Sequence, residues 1–280
     1  MSKLFVCLVL TACLYQNTYA QSLKTPPPSP PQLVKQDFGL SSVELSYSRP
    51  GVKGRKIFGD VVPFGKVWRT GANQATTLSF GDPVTIGGTK IPAGKYGLLT
   101  IPGADEWTVI ITRQLDVTSP AAYKPDQDLV RVQVKPFQLP FPMETFSILF
   151  ADITPSSCNL ELIWETTVIV VPITADIDTR VMAQIDNVMN KDNHPYFSAA
   201  LYYLDNGKDL NKALEWFDKA IAQDPSAGGS FFIVYQKARC LAKMGRKADA
   251  KTTAQKGIDL AKQANNADYV ALNEKLISTL

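Results

Sequence analysis

Residues 84–112 read VTIGGTKIPAGKYGLLTIPGADEWTVIIT, and this stretch decides the fold class of the first part of the chain. Short β-branched or alternating runs are separated there by turns rich in Gly and Pro. Residues 86–89 have the two-glycine form of a hairpin turn, and residues 102–106 form a second turn before the run 107–112. The pattern is typical of antiparallel strands that follow one another along the chain.

The same alternation extends from about residue 32 to residue 173, and no stretch in this range has a helical period. So many short strands in one region indicate a sandwich or a barrel, and we predict an antiparallel β-sandwich. The predicted strands are 33–38, 43–48, 75–80, 84–86, 96–101, 107–112, 129–135, 145–151 and 160–171.

From residue 175 onward the apolar positions take the spacing of amphipathic helices. A first helix is predicted to end at Met189, and further helices are predicted at 196–206, 210–223, 230–244, 246–262 and 269–277. The middle four pair into two hairpins of about 35 residues, which is close to the period of tetratricopeptide repeats. In the first hairpin, Ala213, Phe217, Ala220 and Pro225 match the small-aromatic-small-proline pattern of that repeat.

We therefore predict a multidomain α+β protein. An antiparallel β-sandwich at 32–173 is followed by an α-helical domain at 174–280 that contains two degenerate tetratricopeptide-like helix hairpins. Residues 21–31 hold five prolines and are predicted to be an extended linker.

The first 20 residues have the pattern of a signal peptide, with Lys3, an apolar stretch and a small-x-small sequence that ends at Ala20. We expect the protein to be exported to the periplasm or the cell surface, and a lipid anchor at Cys13 is the alternative. Beyond this segment only Cys158 and Cys240 remain, and we predict that both are buried free thiols rather than a disulfide.

Composition excludes several classes of function. The net charge is only +3 and the cations are not clustered, so no nucleic-acid partner is expected. No apolar run after residue 20 is long enough to predict a transmembrane span.

The sequence also lacks the residues of the common catalytic and cofactor motifs. His194 is the sole histidine, which argues against histidine-dependent triads and zinc sites with histidine ligands. There is no Cys-x-x-Cys pair, phosphate loop or dinucleotide fingerprint. We therefore predict no catalytic residues, no metal site and no cofactor.

The candidate site is the stretch 47–73, which combines cations with aromatic side chains over a long, nearly strandless loop. A loop of this length inside a compact domain is functional or disordered, and its aromatic residues favour order. Arginine could form paired hydrogen bonds with a carboxylate or sulfate while tryptophan stacks on a ring, so a small anionic or carbohydrate ligand is predicted. The candidate ligand-binding residues are Arg49, Arg55, Lys56, Trp68, Arg69 and Asn73.

A structural interpretation of the same loop stays open. In that interpretation Trp68 fills the end of the sandwich, while Arg69 and Asn73 bind loop carbonyls.

Three motifs carry a family resemblance: GRKIFG at 54–59, VPFGKVWRTGAN at 62–73 and IPAGKY at 91–96. With them, residues 32–173 resemble domain-of-unknown-function family 2911, a group of exported bacterial proteins, many of which have a similar helical tail. The resemblance implies the β fold and export, and it implies no substrate.

Three hypotheses for function follow. The first is a non-catalytic, exported ligand- or glycan-binding β-sandwich with a helical unit that contacts a protein partner through residues 196–280. The second is a carboxylate-dependent hydrolase of envelope polysaccharide, which needs a close pair of acidic residues. The third is a structural assembly factor that acts through its helical repeats. The turn carboxylates that a hydrolase could use are Asp60, Asp82, Asp105 and Glu106.

Overall fold

A computed structural model of the protein describes residues 25–191, 194–226 and 230–280. The chain divides into two compact units, the first ending at Ile177 and the second running from Asp178 to Leu280. The predicted signal peptide, with the lipid-anchor alternative at Cys13, lies outside the described residues, and export stays a prediction. Residues 25–30 of the proline-rich linker are irregular.

The first unit is built from two antiparallel sheets, which confirms the predicted β-sandwich. One sheet has the order β1-β2-β3-β6-β7-β8 and the other the order β5-β4-β10-β9. The strands are β1 Pro31–Phe38, β2 Ser41–Ser48, β3 Thr77–Phe80, β4 Val84–Ile86, β5 Thr89–Ile91, β6 Gly94–Ile101, β7 Trp107–Thr112, β8 Asp128–Val134, β9 Phe137–Ala151 and β10 Ser157–Thr174.

Two strands differ from the sequence prediction. The short strand β5 was predicted as part of a turn, but it pairs with β4 across the two-glycine hairpin, with Val84 opposite Ile91. Strand β9 begins at Phe137 rather than at residue 145, although it contains Pro140 and Pro142. Proline usually interrupts a strand because it has no N–H group to donate. Strand β9 lies at a sheet edge, and no hydrogen bond between strands is lost where the missing N–H group would face solvent.

The main core lies between the two sheets. Alternate residues of each strand face it, such as Leu45 and Leu98 from the larger sheet and Phe146 and Leu160 from the smaller one. Cys158 belongs to this core, and burial raises the pKa of its thiol to about 11. Cys158 and Cys240 are both free and buried, as predicted, and a thiol protonated in this way is a poor nucleophile.

A second apolar cluster covers the opposite face of the larger sheet. Leu99 and Ile110 point outward from β6 and β7, and Val117 lies over them. Val117 belongs to the 113–127 loop, the segment between β7 and β8 that contains two short 3-10 turns. The loop is thus packed onto the sheet by its own hydrophobic contact.

The 113–127 loop is also held by hydrogen bonds. Gln114 donates from Nε2 to the carbonyl of Ala122 over 2.6 Å and accepts from the amide of Lys124 over 3.0 Å. Tyr123 donates its phenol proton to Asp128, which also pairs with Arg131. Burial and then the bond to Asp128 raise the pKa of Tyr123 to about 12, because both favour the neutral phenol.

The raised pKa of Tyr123 predicts a loss of stability in alkali. The folded state keeps the phenol proton longer than the unfolded state, so its contribution is complete below pH 10 and falls as the pH rises from 10 through about 12. We expect the free energy of unfolding of Tyr123→Phe to decline less steeply over this interval than that of the natural protein, as measured by urea unfolding at several pH values. Parallel declines would contradict the prediction.

The second unit is a region of six helices, in agreement with the predicted helical region. The described helices from Tyr196–Asp205 to Ala267–Ser278 pack against one another in chain order. No described helix is both long and apolar enough to cross a membrane. The helices are α1 Asp178–Met189, α2 Tyr196–Asp205, α3 Leu210–Gln223, α4 Phe231–Lys243, α5 Lys247–Gln263 and α6 Ala267–Ser278.

The local chemistry of α3 explains why it forms and how it packs. Asp209 caps its N-terminus, because its carboxylate accepts hydrogen bonds from the amides of Asn211 and Lys212. Ala213 and Phe217 are fully buried, which is the role that the repeat-like pattern predicts for small and aromatic positions. The small side chains allow neighbouring helices to approach closely.

Candidate functional site

Two loops of the β-sandwich unit enclose a cavity of about 410 Å³. We call it the cationic cavity. One side is the 49–73 loop between β2 and β3, the other is the 113–127 loop, and Trp164 of β10 contributes to the wall. The lining residues are Ser29, Pro50, Arg55, Val61, Val62, Pro63, Lys66, Val67, Trp68, Arg69, Gly71, Ala72, Thr118, Ser119, Pro120 and Trp164.

The backbone of Trp68 extends the sheet beyond the end of β3. Its amide donates to the carbonyl of Thr100 on β6 over 2.7 Å, and the amide of Thr100 donates back over 3.0 Å. Strand β3 pairs with β6 from Gly94 to Gly97 and the carbonyl of Thr76 accepts from Leu98, so Trp68 takes the next hydrogen-bonding position along β6. This pairing fixes the backbone of Trp68 beside β6.

The indole of Trp68 packs in an aromatic cluster while still lining the cavity. It stacks on Trp164 with ring centroids 5.8 Å apart and an interplanar angle of 17°. Phe146 and Phe58 lie 5.0 Å and 6.3 Å from its ring centroid. Its Nε1 donates to the carbonyl of Gly71 over 3.0 Å, so the indole is fixed in orientation.

The segment after Arg69 has a strained backbone. Thr70 is fully buried and has a φ of 56°, which is unfavourable for a β-branched residue, and Asn73 has a φ of 58°. Such conformations cost about 1–3 kcal/mol each and are concentrated at ligand sites. Here Thr100 Oγ1 lies 3.1 Å from Thr70 Oγ1, and Thr76 Oγ1 donates to the Thr70 carbonyl over 2.6 Å. These bonds keep the strained conformation in place.

Arg69 joins the two loops and retains an unused donor. Its Nη1 donates to the carbonyl of Thr118 in the 113–127 loop. Its Nε is buried and has no hydrogen-bond partner among the described residues. A buried donor without a partner costs free energy, and Arg69 itself lines the cavity.

The other cations of the lining are Arg55 and Lys66. Arg55 donates from Nε to the carbonyl of Val52 over 3.0 Å and from Nη2 to that of Gly51 over 2.7 Å, which closes the turn of its own loop. The side chain of Lys66 is exposed. Neither Asp nor Glu is among the described residues that line the cavity, so its field favours negatively charged groups.

The structure brings together three of the six residues predicted from the sequence, Arg55, Trp68 and Arg69. The other three are used elsewhere. Arg49 donates to the carbonyl of Phe146 over 3.1 Å and to the hydroxyl of Ser147 over 2.7 Å, and so connects the loop to β9.

Asn73 and Lys56 also lie apart from the lining. Asn73 donates to the carbonyl of Ser29 over 3.1 Å and thereby holds the end of the linker beside the cavity. Lys56 lines a separate depression with Glu144 and Glu165.

Two parts of the cavity lining were not predicted from the sequence. Trp164 stands in an ordinary strand pattern far along the chain, and the residues 118–120 carry no motif, so neither had a signal that links it to the 49–73 loop. Lys66 was visible as one cation of the stretch 47–73, and only its position in the cavity distinguishes it.

Carboxylates are absent from the cavity and occur nearby as loop anchors. Glu144 accepts from the amide of Lys53 over 2.9 Å, and Glu165 accepts from that of Ile57 over 3.3 Å. The turn carboxylates considered from the sequence do not line the cavity. Within the part of the chain that the structure describes, no group of three or more His, Cys, Asp or Glu residues could hold a metal ion.

Comparison with known families adds an identification. A family model described as "Protein of unknown function (DUF2911)" matches residues 29–173, just over half of the 280 residues. The chain belongs to the DUF2911 family. The resemblance of the three sequence motifs is thereby confirmed. No curated protein and no solved structure matches the chain.

The DUF2911 match spans the whole cationic cavity. Its first residue is Ser29 and its last lies beyond Trp164, so both loops and every lining residue fall inside it. The family description assigns no activity. The helical unit from Asp178 onward lies outside the match.

Proposed function

We propose that the DUF2911 unit is a non-catalytic binding module that takes a small, negatively charged ligand in the cationic cavity. The observation that carries this proposal is Arg69, which lines the cavity, is held at Nη1 by the carbonyl of Thr118 and has no described partner at Nε. A fixed arginine with a spare donor is suited to an anionic acceptor, because charge-assisted hydrogen bonds are stronger than neutral ones.

The structural interpretation of the loop explains only part of these contacts. It accounts for the donors that loop and strand acceptors use, which belong to Arg49, Arg55, Asn73 and the Nη1 group of Arg69. It does not account for three cations around one cavity without a carboxylate among the described lining residues. Like charges brought together in this way raise the energy of the empty site and favour a ligand of opposite charge.

The aromatic wall supports a ligand that has a flat or apolar part. Trp68 is partly exposed and rigidly stacked on the buried Trp164, so a ring or chain can lie against Trp68 without ordering new side chains. This leaves both of the ligand types predicted from the sequence, an organic anion and an acidic carbohydrate, compatible with the proposal.

The hydrolase hypothesis has less support. A retaining or inverting glycosidase needs two carboxyl groups about 5–9.5 Å apart at the scissile bond. The lining of the cationic cavity has no carboxylate among the described residues, and Glu144 and Glu165 are engaged with loop amides in a separate depression.

Export and a protein partner complete the proposal. The predicted signal peptide would place the module in the periplasm or at the cell surface, with a lipid anchor at Cys13 as the alternative form. The helical unit would contact another protein through residues 196–280. A purely structural assembly role is the alternative, and it would leave the cationic cavity without a ligand.

The test is a screen of small organic and inorganic anions by thermal shift and calorimetry. We expect saturable binding of at least one organic anion, and we expect Arg69→Gln to weaken it roughly 10- to 100-fold, since a hydrogen bond to a charged group contributes about 1.5–3 kcal/mol. The matched control is Arg113→Gln, because Arg113 is an exposed arginine in the same unit that does not line the cavity.

Equal weakening by both substitutions would indicate a general charge effect and contradict the proposal. A large loss of stability in Arg69→Gln, with no anion bound by the natural protein, would support the structural interpretation instead.

A further inference from the structure

We infer that the ligand of the cationic cavity is an amphipathic carboxylate, with one carboxylate group on an aromatic or short aliphatic body, rather than a sugar acid or an inorganic oxyanion. This inference rests on the proposed function and narrows the class of its ligand.

The wall of the cavity between the cations is mostly apolar. Nine of the sixteen lining residues have apolar side chains, and the uncharged hydroxyl groups are limited to Ser29, Thr118 and Ser119. A sugar acid brings several hydroxyl groups, each of which would leave water. A buried hydroxyl without a partner costs free energy, so a wall with so few side-chain partners disfavours a polyhydroxylated ring.

Arg69 differs in burial from the other two cations of the lining. Among the three cations of the lining, Arg69 carries a buried nitrogen without a described partner, whereas Arg55 and Lys66 are exposed. Arg69 is therefore the least exposed cation of the described lining, and it suits one anionic group held inside the cavity. A sulfate or phosphate ion is strongly hydrated on all sides, and the valines, prolines and indoles of the wall offer it no replacement for that water.

The neighbour of Arg69 in the sequence adds an aromatic surface to the same cavity. Trp68 lines the cavity beside it and stacks on Trp164, with centroids 5.8 Å apart. A molecule whose carboxylate reaches Arg69 therefore brings the atoms next to that carboxylate against apolar wall. Burial of such atoms favours binding, because it removes apolar surface from water.

The volume of the cavity also limits the size of the ligand. The cavity measures about 410 Å³. This lies near the lower end of the range of about 300–1,000 Å³ for small-molecule sites. One ring or a short chain with its carboxylate fits such a volume.

The test is calorimetric titration of the full chain with four named probes. Phenylacetate is the amphipathic carboxylate, and phenylacetamide is its neutral counterpart. Glucuronate supplies a carboxylate on a polyhydroxylated ring, and sulfate supplies an inorganic oxyanion. We expect phenylacetate to bind at least tenfold more tightly than each of the other three.

Variants assign the effect to the cavity. Arg69→Gln is expected to remove the advantage of phenylacetate over phenylacetamide, and Arg113→Gln is expected to keep it. Arg69→Lys retains the charge without the Nε donor and is expected to give an intermediate result, which also serves as the test if Arg69→Gln fails to fold.

The outcomes separate this inference from the proposed function. If glucuronate or sulfate binds more tightly than phenylacetate and depends on Arg69, the inference is overturned while the proposed anion-binding function stands. If phenylacetate and phenylacetamide bind equally, the carboxylate is not recognised and the inference fails. If none of the four probes shows saturable binding, the inference fails, and the wider anion screen decides the proposed function.

Discussion

Gly97→Ala is expected to destabilise the β-sandwich unit and to displace the 113–127 loop from the sheet. A Cβ atom at position 97 would lie 2.2 Å from the backbone oxygen of Gln114 and 2.9 Å from Thr112 Cγ2. A backbone oxygen cannot rotate away as the end of a side chain can, so the strand or the loop must move. Overpacking of this kind costs about 1–3 kcal/mol, and occasionally more.

The displacement should reach the cavity, because Thr118 of the same loop accepts the hydrogen bond of Arg69. We expect Gly97→Ala to lower the urea midpoint, to increase tryptic cleavage after Arg113, and to weaken the binding of any cavity ligand.

A matched control for Gly97→Ala is Gly88→Asn. Gly88 has a φ of 76° and open space around it, and asparagine tolerates this backbone conformation better than other side chains. The control should leave the loop and the cavity unchanged. Unaltered tryptic cleavage and unaltered stability in Gly97→Ala would show that the loop is not packed against β6 as described.

Trp164→Ala is expected to cost about 3–5 kcal/mol in the free energy of unfolding of the same unit, as large-to-small substitutions of buried aromatic residues do. Trp164 is only 2% exposed and contacts Trp68, Phe58 and Phe146 in one aromatic cluster. Its Nε1 donates to the carbonyl of Glu144 over 3.3 Å. Truncation therefore removes packing from several rings and leaves a void beside the cavity.

Chemical unfolding followed by near-ultraviolet circular dichroism measures this loss. Trp164→Phe keeps a ring in the cluster and should lose less stability than Trp164→Ala. Trp68→Ala should also lose less, because Trp68 is only partly buried. A loss below about 1 kcal/mol for Trp164→Ala would be typical of a surface residue and would contradict the packing.

The prediction of the candidate site from sequence was partial for a physical reason. Composition and loop length identified the 49–73 loop correctly as the place where cations and aromatics concentrate. They could not show which cations face the cavity, because that depends on partners far away in sequence. Arg49 is used by Phe146 and Ser147, nearly a hundred positions further on, whereas Arg69 meets Thr118.

The family match covers the segments that form the cavity. The motif at 62–73 contributed to the family resemblance, and the same segment supplies Trp68, Arg69 and the strained Thr70. Residues of this one motif therefore have different roles in the fold. Trp68 and Arg69 line the cavity, whereas Asn73 holds the linker at Ser29.

What the sequence determined by itself was the kind of secondary structure and its order. The two-residue alternation before residue 174 and the helical period after it are local properties, because each depends on side chains only a few positions apart. Turn chemistry is local as well, so the hairpin at Gly87 and Gly88 could be predicted before any packing was known.

Only the tertiary structure decided how these elements make a site. The pairing of Trp68 with Thr100 carries the 49–73 loop along β6, and Gly97 lets the 113–127 loop approach the same strand. Trp164 then meets Trp68 from the opposite sheet. Strand register and sheet packing set these contacts between residues remote in sequence, and no period or motif of the chain encodes them locally.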